Sequence, residues 1–254
     1  MSAFVRISAV SYLNTAPFVY GLQQSPIASS IKLTLDYPAE CSRKLLADEV
    51  DIGLVPIASL LDMPFYSIVS DYCLGTLGNV RTVSLLSNSP LEEIDTIFLD
   101  FQSRTSNLLV KILSRDFWKK KIQWVSTKST PSIESITKQK GMIAIGDKVF
   151  EFEDSFAYNY DLATEWKKFT SLPFVFAVWA ANKELSKNFY KTFESALAFG
   201  LENISLAIQS YSNTKLNPEE AYDYLTNNIS YSLDQQKRKA LDLFLKLGNS
   251  FAPG

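Results

Sequence analysis

The segment Asp100-Phe-Gln-Ser103-Arg104-Thr105-Ser106-Asn107 gathers three hydroxyls and a guanidinium where an apolar run stops and a helical pattern starts. Backbone amides at a helix start already favour an anion. Capping accounts for one hydroxyl and hardly three, so the segment reads either as a crowded cap or as a carboxylate or phosphate site. A second cluster, Ser11-Tyr12-Leu13-Asn14-Thr15-Ala16-Pro17, follows the first strand pattern. Asn14 or Thr15 would cap the short helix that follows, which explains the segment locally. Ligands of open α/β sheets lie beyond the carboxyl ends of strands, which offers the alternative that Asn14 is a hydrogen-bond donor facing a cleft.

Three further places are compatible with chemistry and equally with structure. Thr82, in Val80-Arg-Thr-Val-Ser-Leu-Leu, has the place of a half-buried strand threonine. Gly146-Asp147-Lys148 ends another strand, where amides and Asp147 could reach a cleft, although turn chemistry alone also produces Gly-Asp. Asp51-Ile-Gly-Leu-Val-Pro56-Ile-Ala reads as a buried strand running into a helix begun by Pro56, with Gly53 permitting close backbone approach. The aromatic run Leu172 to Ala181, with Tyr158, Tyr160 and Trp166 upstream, is core material from which one ring could wall a flat ligand.

Composition narrows the chemistry sharply. The 254 residues include no histidine, which excludes Ser-His-Asp and Cys-His triads and the commonest zinc ligand. Cys41 and Cys73 are too few for a metal cage and are expected to be buried, reduced thiols. Neither Gly-x-x-x-x-Gly-Lys nor Gly-x-Gly-x-x-Gly occurs, so no nucleotide cofactor is supported. No metal and no other cofactor is expected. With 25 basic and 27 acidic residues there is no global positive field for nucleic acid or an anionic membrane, and an anionic ligand must be caught locally. Hydrophobic residues at 46% and charged residues at 20% describe an ordinary globular chain. The first residues have no basic leader before their apolar stretch, and the longest apolar run, Leu172 to Ala181, is too short to span a bilayer. The expectation is a soluble, cytoplasmic protein whose partner is a small molecule; its oligomeric state is left open.

These residues need a scaffold, and the pattern supplies one. Short β-branched runs alternate with helical stretches: Phe4 to Val10, Ile31 to Asp36, Val50 to Val55, Tyr66 to Ser70, Val80 to Leu86, Thr96 to Asp100, Ile122 to Val125, Met142 to Ile145 and Phe174 to Ala180. Such alternation predicts α/β layers with mostly buried strands. Pro38, the hydroxyls at Ser103 and Asp161 mark helix starts. From Glu184 to Gly248 the spacing is helical throughout, with Asn217-Pro-Glu-Glu and a Ser232-Leu-Asp-Gln box opening two tail helices and Gly248 closing the last. Turn residues at Ser87-Asn-Ser-Pro90 and Ser171-Leu-Pro173 suggest two crossings between lobes. The expected organisation is a discontinuous lobe of residues 1–88 plus 173–254, carrying the helical tail, and an inserted α/β lobe of residues 89–172, with a ligand cleft between them.

Five segments in order, SYLNTAPFVYGL from Ser11, VDIGLVPIASLL from Val50, LDFQSRTSNLL from Leu99, AIGDK from Ala144 and YDLATEW followed by LPFVFAVWAANKE, together resemble the chorismate dehydratase family of the futalosine route to menaquinone. The resemblance covers most of the chain to about Glu184; the tail matches in character only. It implies a two-lobed type II periplasmic-binding-protein-like fold with a central ligand cleft and a helical C-terminal tail, acting as a hydro-lyase that converts chorismate to 3-[(1-carboxyvinyl)oxy]benzoate. It further implies a stepwise elimination in which the substrate's own enolpyruvyl carboxylate can take the proton.

By similarity, Asn14 binds substrate near the reacting carbons and Thr82 hydrogen-bonds near the departing hydroxyl. Ser103, Thr105 and Ser106 with the helix amides would hold a carboxylate, while Arg104 points elsewhere. Tyr12, Thr15, Pro56, Gly146 and Asp147 complete the expected substrate-binding set. Members of the family often carry Ser at the position of Thr82; here the hydroxyl survives and the added methyl restricts its rotamer. The sister enzyme that releases 1,4-dihydroxy-6-naphthoate shares the fold, but its family opens with Ser-Pro-Cys-Pro-Asn-Asp where Ser11-Tyr-Leu-Asn stands here. A non-catalytic binding protein for a small aromatic carboxylate is the rival from another class.

Overall fold

The computed structural model describes residues 4–251. Its first sheet has six strands: β1 (Val5–Val10) lies between β2 (Ile31–Asp36) and β3 (Ile52–Pro56), parallel to both. Beyond β3 come β10 (Phe174–Ala181), β4 (Ser67–Thr76) and the short edge strand β11 (Ser230–Ser232), each antiparallel to its neighbour. The second sheet runs in the order β7 (Gln123–Ser126), β6 (Thr96–Leu99), β8 (Lys140–Ile145), β5 (Val83–Ser87), β9 (Tyr158–Asp161). Continuous apolar runs predict strands covered on both faces. β10, reading Phe-Val-Phe-Ala-Val-Trp-Ala-Ala, is buried at all but one position.

Helices cover these sheets where the caps direct them. The first is α1 (Ala16–Gln24), and α2 (Pro38–Leu46) begins with Pro38 after an extended Tyr37. In α3 (Arg104–Ile112) the Ser103 hydroxyl accepts from the Ser106 amide. The short α4 (Lys148–Phe152) follows β8. Asp161 caps α5 (Leu162–Thr170) through the Thr164 amide. The tail contributes α6 (Lys187–Glu202), α7 (Ile204–Gln209), α8 (Pro218–Asp223) and α9 (Gln235–Gly248). Helix α6 meets α1 backbone to backbone: a Cβ at Gly200 would stand 1.8 Å from the Pro17 carbonyl oxygen, so only glycine permits the contact. That contact ties the tail to the segment that follows β1.

Several expectations are corrected. Strand β5 belongs to the second sheet, so the chain leaves the first sheet between Thr76 and Val83 and not near Asn88. The turn around Pro90 only links β5 to β6. The actual crossing has no proline; the Asp161 carboxylate accepts from the Val80 and Arg81 amides, and Arg81 takes a φ of 65°. The chain returns through Ser171-Leu-Pro173. The tail is not purely helical, because β11 pairs with β4. Its last helix is capped by Asp234, which accepts from the Lys237 amide, and not by Ser232. Gly248 is the last residue of that helix. At the start of α1 neither Asn14 nor Thr15 makes a side-chain cap bond, so the capping account of that segment fails.

Candidate functional site

A cavity of about 540 Å³, counting its open mouth, lies where the carboxyl ends of β1 and β3 face the crossing segment, β8 and the start of α3. That is the position expected for a ligand in an open α/β sheet. Tyr12, Asn14, Pro56, Thr82, Ser103, Thr105, Ser106 and Gly146 all line it. Of the expected set only Thr15 and Asp147 are not among its lining residues. No Asp, Glu, Lys or Arg stands among the described residues that line it.

One end is built from α3. The Ser103 hydroxyl accepts from the Ser106 amide at 3.2 Å and donates to the Ser106 hydroxyl at 2.7 Å. This leaves the Ser106 O–H to donate into the cleft. The amides of Arg104 and Thr105 precede the first turn's acceptors and have no intrahelical partner. Together they are groups that could hold an anion without a cation. Thr105 acts differently: its hydroxyl donates to the Phe176 carbonyl at 3.1 Å and accepts from the Ala58 amide at 3.3 Å, which fastens α3 to the first lobe. Arg104 turns outward to pair with Asp62.

The opposite end holds Asn14 and Thr82. Thr82 precedes β5, and its carbonyl accepts from the Gly146 amide at 2.9 Å. Its hydroxyl lies 2.7 Å from the phenol oxygen of Tyr224, in the tail. Burial pushes the Tyr224 pKa far up, so the group stays a neutral phenol. The Asn14 carbonyl accepts from the Tyr231 hydroxyl at 3.1 Å.

Tyr12 walls the cleft between these ends. Its ring lies on Gly146, where a Cβ would meet ring carbons at 2.8 Å, and its hydroxyl donates to Gln102 Oε1 at 2.9 Å. Gly146 has a φ of +62°, which favours glycine independently. Gln102 also accepts from Lys148 at 2.6 Å, so the Tyr12–Gln102 bond that joins the two lobes is backed by a cation.

Two expected binders have other work. Thr15 is buried, and its hydroxyl donates to Asn14 Oδ1 at 3.2 Å. Asp147 accepts from the Tyr211 hydroxyl at 2.6 Å and from the Leu13 amide at 3.4 Å; burial raises its pKa. Its carboxylate therefore ties together the tail, the first lobe and the second. Sequence reasoning missed Tyr224, which no local pattern connects with Thr82, and Gln102, which stood unremarked inside the quoted Asp100 to Asn107 segment. Both cysteines are buried and free, and burial pushes each thiol up to about 12.

Two sheets with a chain that crosses between them twice, and a cleft at the crossings, define a periplasmic-binding-protein-like α/β protein. Solved structures agree on this fold. A protein from Archaeoglobus fulgidus superposes with a TM-score of 0.76 at 17% identity, covering 97% of each chain. A Candida albicans protein described as exhibiting the generic periplasmic binding protein fold gives 0.71 at 13% identity, over 99% of this chain and 92% of that one. The chain belongs to the menaquinone biosynthesis family, whose model matches residues 5–250. Among its relatives, the chorismate dehydratase of Thermus thermophilus is 26% identical over 95% of this chain and 94% of that protein. The chorismate dehydratase of Campylobacter jejuni is 24% identical over 93% and 94%. Among the described residues, no helix is long and apolar enough to cross a membrane.

Proposed function

We propose that this chain is a chorismate dehydratase, a hydro-lyase that removes water from chorismate to give 3-[(1-carboxyvinyl)oxy]benzoate. The observation that carries the reading is the pairing of the Asn14 and Thr82 side chains at one end of an uncharged cleft with the α3 amides and Ser106 at the other. Two chorismate dehydratases among the relatives support it over the naphthoate-forming sister enzyme.

The reaction asks for orientation more than for a strong acid or base. The ring C–H that breaks is acidified by a diene conjugated to the ring carboxylate, which stores charge as an enolate-like intermediate. The proton passes to the substrate's enolpyruvyl carboxylate; the C–O bond to the ring hydroxyl then breaks, and proton and hydroxide leave together as water. No electron acceptor is needed. In this reading Asn14 orients the substrate near the reacting carbons, Thr82 hydrogen-bonds the departing hydroxyl, and the start of α3 holds a carboxylate. With no Lys or Arg among the described residues that line the cleft, the substrate's own carboxylate stays basic enough to act.

Incubating the protein with chorismate while following ultraviolet absorbance tests this. Loss of the diene chromophore with formation of a product lighter by one water is expected. Chorismate returned unchanged, bound or unbound, would overturn it.

A further inference from the structure

We propose that Asp161 is a positioning residue whose carboxylate fixes the left-handed turn at Arg81 and so sets where Thr82 presents its hydroxyl. This deepens the dehydratase reading and rests on it for its kinetic consequence.

Asp161 is the last residue of β9 and the cap of α5, and it is not among the residues that line the cavity. Its two carboxylate oxygens divide the work. Oδ1 accepts from the Thr164 amide at 2.8 Å, which starts the helix. Oδ2 accepts from the Val80 and Arg81 amides at 3.0 and 2.8 Å, and both belong to the first crossing. A helix cap needs only the first of these contacts. Helix α5 also grips the crossing a second time, because Lys167 Nζ donates to the Leu77 carbonyl at 2.7 Å.

The second oxygen answers to the backbone it holds. Arg81 has a φ of 65°, in the left-handed region that a residue with a Cβ enters at a cost. Such a conformation persists where its surroundings over-determine it. Thr82 follows at once, and its own carbonyl accepts from the Gly146 amide at 2.9 Å, so its backbone is held on both sides. Threonine is stiff at χ1, so a fixed backbone leaves the hydroxyl few places to go. That side chain is 1% exposed and lines the cleft. Relaxation of Arg81 to a negative φ would turn the chain ahead of Thr82 and aim the hydroxyl elsewhere. Asp161, fixed by a strand before it and a helix after it, prevents this without touching the ligand.

Asp161→Ser separates the two duties. Serine caps a helix about as well as aspartate, but its single oxygen, one bond closer to the backbone, cannot also serve the crossing. The expected result is a kcat lower by about 10- to 100-fold with KM changed by less than about threefold. In the Thr82→Val background the same change should cost less than about threefold, because the hydroxyl it aims is already gone. Unchanged kcat in a folded Asp161→Ser, or losses that simply multiply in the double variant, would overturn the proposal. An activity-free measurement accompanies it. Followed by nuclear magnetic resonance, hydrogen exchange at the Val80 and Arg81 amides should be at least about tenfold faster in Asp161→Ser, with the Thr164 amide unchanged. Equal exchange at Val80 and Arg81 would show that the carboxylate does not hold the turn. Should the serine variant fail to fold, Asp161→Asn, which keeps the size and one acceptor oxygen, is read by the same two measurements. If the unaltered protein leaves chorismate untouched, the dehydratase reading fails while the exchange rates still decide whether Asp161 holds the turn.

Discussion

Replacing Gly146 by alanine probes the contact on which the cleft wall depends. At a φ of +62° an added Cβ costs about 1–2 kcal/mol in backbone strain. The same Cβ meets three ring carbons of Tyr12 at 2.8–2.9 Å, a collision rather than a contact. The ring resists displacement because its hydroxyl is held at 2.9 Å by Gln102. Overpacking of this kind costs about 1–3 kcal/mol, so Gly146→Ala should lose about 2–5 kcal/mol in urea unfolding. Its KM for chorismate should rise, since Tyr12 lines the cleft. Tyr12→Ala removes the collision partner, so its own cost should be smaller by about 1–3 kcal/mol in the Gly146→Ala background than alone. Costs that add to within about 0.5 kcal/mol would refute the packing argument and leave only backbone strain.

Asn14→Ala should lower turnover by about two orders of magnitude, because it removes an oriented hydrogen bond at the reacting end. The side chain caps no helix, so unfolding should cost no more than about 1.5 kcal/mol; near-normal turnover would return Asn14 to a structural role. Ser103→Ala with Ser106→Ala should raise KM strongly and weaken direct titration of the substrate; an effect on turnover alone would move the carboxylate elsewhere. Asp51 is held well below the usual carboxylate range, against the cost of its burial, by Arg6 at 2.6 Å and Lys183 at 2.7 Å. A depressed folded pKa gives stability that is fully present above the ordinary carboxylate value and lost as pH falls toward the depressed one. Asp51→Asn should therefore destabilise at pH 7, with a difference that shrinks on acidification; a constant difference would contradict the ion-pair account.

The sheets were legible because their strands are buried on both faces and read as unbroken apolar runs, Phe174 to Ala181 most clearly. Strand β11 escaped notice because three residues in a helical region carry no periodicity. The first crossing was misplaced because Pro90 is a stronger local signal than the proline-free stretch at Leu77 to Thr82, whose bend is held by a carboxylate 80 residues away. Cavity-lining residues at strand ends and helix starts, such as Asn14 and Ser106, announced themselves by polar groups interrupting apolar runs. Tyr224 could not, because its meaning lies in contact with Thr82 across 142 residues of chain. Thr15 and Asp147 stood in the right segments, but only the fold shows the protein groups that Thr15 Oγ1 and Asp147 Oδ2 bond.

A crystal structure of the protein with 3-[(1-carboxyvinyl)oxy]benzoate bound tests the central claim most directly. The account predicts the aromatic ring in the cleft against Tyr12, ring carbons beside Asn14 and Thr82, and a carboxylate on the Arg104 and Thr105 amides and the Ser106 hydroxyl. Product bound outside this cleft, or inside it with both carboxylates away from α3 and the ring remote from Asn14 and Thr82, would contradict it.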